Sequence, residues 1–212
     1  MVKRVFVFPL GFHEDPLLRL LTDFRAGLND EVIVFTCEPM HGGVRRAFES
    51  LRAFCIKQGF PEPESEVLEC SDFYESFKHV RRVLEKFRDV EVVVEVGAGL
   101  RILGQIITAT LLFLGKEFTL HYEPEGGVGE PVTVPKEFFS LIIKEPTDFE
   151  RKVLSEVIKD PGVTVKEVSS RLNRNEKTIR NTVSKLRGRG LIEKKARSER
   201  LEATKLAKAL YE

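Results

Sequence analysis

Lys177, Thr178, Asn181, Ser184 and Lys185 are residue types that bond phosphates or base edges, and their spacing puts them on one helical face. At about 100° per residue, that face lies opposite an apolar stripe of Ile179, Val183 and Leu186. Arg180 flanks it and Arg174 stands just before it. A second set of chemically capable residues is spread over three loops. These are Pro9–Glu14, Glu38–Arg45 and Gly97–Arg101. Gly11, Gly42, Gly43, Gly97 and Gly99 would let backbone N–H groups approach an anion closely. Arg45 and Arg101 fall in the first turns of helices, where a cation opposes the helix dipole but a guanidinium fork could clamp a phosphate.

The elements that position the first set are short and well punctuated. Thr164 with Glu167 is a capping box, so a helix is predicted from Val165 to Leu172. Asn175 is a good N-cap for a second helix over Glu176–Arg189, which Gly190 ends. Leu191–Lys195 and Arg200–Glu202 then read as two strands of a wing, with Lys194, Lys195, Arg197 and Arg200 as further cations. Thr204 can cap a last short helix to Tyr211. Helix, turn, helix and basic hairpin make a winged helix-turn-helix, whose expected partner is double-stranded DNA. The alternative is a winged helix used for protein contacts, with the cations as a solvated face.

Charge separates the chain into halves that the net value of +1 hides. Residues 147–212 carry 17 Lys and Arg against 10 Asp and Glu, which leaves 17 against 23 for residues 1–146. A basic excess confined to the helix-turn-helix is the footprint expected of nucleic-acid binding.

The second set is positioned by alternating strands and helices. Strands are predicted at Val5–Phe8, Val32–Phe35, Ser65–Glu69, Val90–Val96 and Phe118–Tyr122, with Val132–Val134 returning across a Gly126–Gly129 turn. Helices are predicted at Pro16–Arg25, Gly43–Gln58, Phe73–Arg88, Leu100–Leu114 and Glu137–Ile143. The fold class is α/β, a doubly wound and mostly parallel sheet over residues 1–144, followed by the winged helix-turn-helix over 145–212. Ligands of such sheets bind at the carboxyl ends of the strands, where the three loops fall. Gly97 and Gly99 either admit an anion or simply turn strand into helix. His13 and His41 either face solvent or serve the site. Neither a dinucleotide fingerprint nor a phosphate-binding P-loop is present, and no metal-ligand spacing is found. Cys37, Cys55 and Cys70 are therefore expected to be small buried hydrophobes in a reducing cytoplasm. No signal peptide is read, and the longest uncharged apolar run, Ile102–Gly115, is too short for a bilayer, so no membrane partner is expected.

Strand one leading into Gly11-Phe12, the segment Gly43–Leu51, the segment Val96–Arg101 and the turn after Glu123 together resemble a family. It is that of the CRISPR-associated regulators joining a CARF domain, a Rossmann-like fold, to a C-terminal winged helix. The resemblance covers nearly the whole chain. It implies a cytoplasmic homodimer that binds a cyclic oligoadenylate, typically cyclic tetra-adenylate, in a two-fold pocket, and DNA at promoters or repeats of CRISPR loci. This ligand is regulatory; no cofactor is implied. Gly11, Phe12 and His13 would line the pocket from the first loop. Gly97, Ala98, Gly99, Leu100 and Arg101 would do so from the fourth, through backbone donors and one phosphate-facing cation. Glu95-Val96 stands where many members have a polar loop with Asp, Ser or Thr. The helix from Leu100 is apolar almost all round, which points to a subunit interface or to burial under the C-terminal domain. Two other readings stay open. One is an enzyme that cleaves the cyclic nucleotide, with His13, His41 and Arg101 as candidates. The other is a small-molecule-sensing repressor outside CRISPR defence.

Overall fold

A computed structural model describes residues 4–87, 89–124, 130–194 and 200–211. Lys195, Arg197 and the Gly126–Gly129 turn lie outside the described residues, as does the side chain of Lys194. The chain forms two compact units, residues 1–139 and 140–212.

The first unit has strands β1 (Arg4–Pro9), β2 (Glu31–Cys37), β3 (Pro63–Leu68), β4 (Glu91–Glu95), β5 (Phe118–Tyr122) and β6 (Val132–Val134). Between them run helices α1 (Asp15–Asp23), α2 (Gly42–Gln58), α3 (Phe73–Leu84) and α4 (Arg101–Phe113), and α5 (Lys136–Ile143) follows β6. The strand order is β3-β2-β1-β4-β5-β6, parallel except for β6, whose Val134 pairs with Leu120 of β5. The period of two explains the layering. Val5 and Val7 of β1 join Ile33, Phe35, Val92 and Val94 in a core with Leu103, Ile106 and Ile107 of α4. Phe6 and Phe8 join Val32, Val34 and Val93 in the opposite core, with Leu17, Leu20 and Leu21 of α1 and Leu51 of α2. Helices therefore cover both faces, which is why the strands read as unbroken apolar runs. β3 starts at Pro63, two residues earlier than predicted; proline lacks an N–H and is tolerated as the first residue of an edge strand.

The cysteine expectation is corrected. Cys37 and Cys70 form a disulfide with Cα atoms 5.4 Å apart, and only Cys55 is free and buried. The register of β2 against β3 sets Cys37 beside Leu68, two residues before Cys70, so a pair 33 residues apart in sequence becomes adjacent. Burial pushes the Cys55 thiol up to about 11, so it behaves as an inert core residue.

The second unit contains α6 (Asp148–Lys159), α7 (Val165–Arg171), α8 (Glu176–Gly188), the hairpin β7 (Ile192–Lys194) with β8 (Leu201–Ala203), and α9 (Lys205–Tyr211). Thr164 caps α7 through a capping box with Glu167, as predicted. Sequence reading missed α6, although Thr147 and Glu150 form the same box there. Val153, Leu154 and Val157 of α6 share one core with Val168, Ile179, Val183, Leu186, Leu191 and Leu201. Among the described residues, no helix is long and apolar enough to cross a membrane.

Candidate functional sites

A cavity of about 920 Å³ opens at the carboxyl ends of the strands, between the loops that follow β1 and β4. β1 and β4 are neighbours in the sheet, and the connections from them run to opposite sides. This is the topological switch point, where an open α/β sheet leaves a crevice. Gly11, Phe12 and His13 line it from the first loop, and Gly97, Ala98, Gly99 and Leu100 from the fourth. His41 and Val44 reach it from the second. Gly42, Gly43, Arg45 and Arg101 are not among the residues that line it.

Close approach of backbone accounts for glycine at positions 11 and 99. A Cβ on Gly11 would stand 2.8 Å from the Gly99 Cα, and one on Gly43 would stand 2.6 Å from the Phe12 ring. Gly99 has φ +74°, and a Cβ there would meet the Pro9 carbonyl at 2.7 Å. The first and fourth loops pack together because Gly11 and Gly99 lack side chains, whereas a Cβ on Gly43 would meet only the exposed Phe12 ring.

The fourth loop is tied down from beneath. Glu95, fully buried at the end of β4, accepts the Gly97 N–H at 2.7 Å and the Ala98 N–H at 3.0 Å. It also accepts the Glu123 N–H at 3.4 Å. The backbone donors expected from Gly97 and Ala98 are thus engaged by the protein itself. Burial holds the Glu95 carboxyl above the usual carboxylate range, and the N–H bonds oppose that rise.

A buried polar chain continues along the cavity wall. Glu123 is 7% exposed, and its Oε1 lies 2.7 Å from the Nε of Arg19 in α1. Its Oε2 stands 3.7 Å from Nε2 of buried His121, whose Nδ1 lies 3.1 Å from the Thr133 hydroxyl. Arg19 and Glu123 both line the cavity. Sequence reading passed over Arg19, Glu95 and Glu123. Arg19 sits inside an ordinary amphipathic helix, and no local spacing links it to a residue beyond β5.

The other site is the outer face of α8. Asn175 caps this helix by accepting the Lys177 N–H at 2.8 Å. Ile179, Thr182, Val183 and Leu186 are buried, while Lys177, Thr178, Arg180, Asn181, Ser184 and Lys185 are exposed. Arg174 is exposed, with its guanidinium 5.8 Å above the Phe149 ring. Arg200 bridges to Thr164 beside the start of β8, and Lys194 closes β7. The sequence brought this face together correctly because one helix carries it.

A Rossmann-like domain with a cavity at its switch point, on one chain with a winged helix-turn-helix, is the architecture of a CARF-type regulator. Residues 4–135 match the Csa3 CRISPR-associated Rossmann-like domain, and residues 147–193 match a winged helix-turn-helix DNA-binding domain. The chain belongs to the Csa3 family. It is 25% identical over 205 residues to the CRISPR locus-related protein Csa3 of Saccharolobus solfataricus, whose name places it among DNA-binding proteins. That match covers 97% of this chain and 86% of the relative. Among solved structures, Csm6 of Enterococcus italicus, bound to cyclic hexa-2'-fluoro-hexa-dAMP, is similar at TM-score 0.48 and 13% identity, over 89% of this chain and 55% of that one. Can2 of Sulfobacillus thermosulfidooxidans, in complex with cyclic tetra-adenylate, is similar at TM-score 0.45 and 12% identity, over 97% and 62%. The chain spans less than two thirds of each of these two proteins.

Proposed function

We propose that this protein regulates transcription of a CRISPR locus, binding a cyclic oligoadenylate in the switch-point cavity and duplex DNA through α8 and the wing. Cyclic tetra-adenylate is the ligand of choice. The observation that carries the reading is the cavity itself, lined by the first and fourth loops of a Csa3-family domain. The ligand acts by changing DNA affinity, and DNA must then change ligand affinity by the same factor. The chain works as a homodimer. Leu100, Ile102 and Phe113 at α4, with Phe73 and Tyr74 of α3, are large apolar side chains left 37–80% exposed, enough for a self-complementary patch. Two winged helices on one DNA then multiply two weak affinities. The domains are assigned as 1–144 for sensing and dimerisation and 145–212 for DNA.

Calorimetric titration with cyclic tetra-adenylate, then chromatography of the recovered nucleotide, tests this. One intact ring per two chains, together with a changed affinity for promoter DNA, is the expected result. Absence of heat removes the ligand assignment. A second reading, cleavage of the ring, is favoured by one observation: His13 and His41 both line the cavity. Linear products that vanish in His13→Ala or His41→Ala would establish it.

A further inference from the structure

We infer that Arg19 is the residue that grips the ligand's phosphate in this cavity, and that Glu123 positions it. The inference rests on the reading that the cavity takes a phosphodiester. Among the described residues that line the cavity, Arg19 is the sole Lys or Arg. Its Nε lies 2.7 Å from Glu123 Oε1 in an ion pair, and no other ion pair or hydrogen bond of Arg19 is found among the described residues. Its side chain is 47% exposed. A guanidinium paired with a carboxylate on its Nε side leaves both Nη groups as a planar fork, the geometry that matches two phosphate oxygens.

Glu123 suits the positioning role because it cannot easily move. Its carboxylate is buried and its backbone N–H reaches the Glu95 carboxylate that also holds Gly97 and Ala98. One buried carboxylate thus ties the fourth loop to the segment that orients Arg19. Electrostatics makes the cation more important still. Asp15, Glu38 and Glu123 also line the cavity, and only Glu123 has its charge matched there, by Arg19. Removing Arg19 would leave a polyanion facing carboxylates with no lining Lys or Arg among the described residues. A two-fold pocket would present two copies of the fork.

The test is titration of the purified protein with cyclic tetra-adenylate, linear triadenylate and pyrophosphate, over a range of salt. Arg19→Ala should lose about 10- to 100-fold in affinity, the worth of charge-assisted hydrogen bonds. Its salt dependence should flatten as well. Arg19→Lys should recover part of the loss, and Glu123→Gln should lose less than Arg19→Ala. Arg19→Ala also strands a buried carboxylate, so the double variant Arg19→Ala with Glu123→Gln separates the causes. If it stays as weak as Arg19→Ala, the cation touches the ligand. Recovery of wild-type affinity in the double variant overturns the inference, as does unaltered binding by Arg19→Ala. Wild type that binds triadenylate or pyrophosphate through Arg19 but ignores the ring supports Arg19 and sinks the cyclic ligand. Wild type that binds none of the three overturns both.

Discussion

The two units hold their polar chemistry in opposite ways. On α8 the polar residues are exposed, point away from the core and, apart from the N-cap bond of Asn175, owe little to one another. Around the cavity, polar groups are spent on each other: Glu95 on three N–H groups, Glu123 on Arg19, His121 on Thr133. A surface that grips a long polyanion can be assembled from additive contacts. A pocket that must hold loops and orient a cation needs buried partners, so its residues should act as sets.

The largest expected effect removes a constraint from the pocket unit alone. Replacing both Cys37 and Cys70 by Ser opens a link across 33 residues. In the chain-entropy account that costs roughly 3 to 4 kcal/mol of stability. Denaturant titration should find that loss in the first unit, and reductant should reproduce it in wild type but leave the variant unchanged. DNA affinity without ligand should stay put. A matching fall in DNA affinity would erase the contrast between the units.

The next effect is additive and sits on α8. Lys177→Ala and Lys185→Ala should each reduce the slope of log affinity against log salt by about 0.9. These positions are eight residues apart, roughly 12 Å along a helix. Their losses should therefore multiply in the double variant. Fluorescence anisotropy with promoter DNA reads both quantities. Unchanged affinity in both single variants would sink the DNA-binding assignment of this face, and strong non-additivity would show that it too works as a set.

The same contrast decided what could be read from the sequence. The α8 face was legible because a capping residue, an apolar stripe and the opposite polar face all lie in one short segment. The sheet was legible because strands buried on both faces read as unbroken apolar runs. At the site glycines, Gly11 and Gly99 allow the first and fourth loops to pack, and the N–H groups of Gly97 and Ala98 serve Glu95, contacts that no local spacing announces. Arg101 and Arg45 drew attention through their position at helix starts, whereas Arg19, which lines the cavity, is an unremarkable helix residue until Glu123 is brought beside it. The Cys37–Cys70 pair likewise exists only through strand register. Pairings made by the sheet leave no local pattern to read.

The smallest effect tests how the buried set around Glu95 is balanced. Burial raises its carboxyl in the folded protein, while three N–H bonds oppose the rise without cancelling it. Below the ordinary value of 4.5 the group is protonated in folded and unfolded chains alike, so its ionisation costs nothing. As pH rises through the elevated folded value, the unfolded chain releases the proton more readily, and wild type loses stability relative to a chain that cannot titrate there. Glu95→Gln is such a chain. Its unfolding free energy, measured against wild type at matched pH, should therefore improve steadily from acid toward neutral pH and level off once Glu95 is ionised in the fold. A difference that moves the opposite way would mean that the Gly97, Ala98 and Glu123 N–H groups outweigh desolvation, and the loop would then be held by an anion that stabilises the fold outright. In either case α8 should be indifferent, because its exposed residues have no stake in that charge.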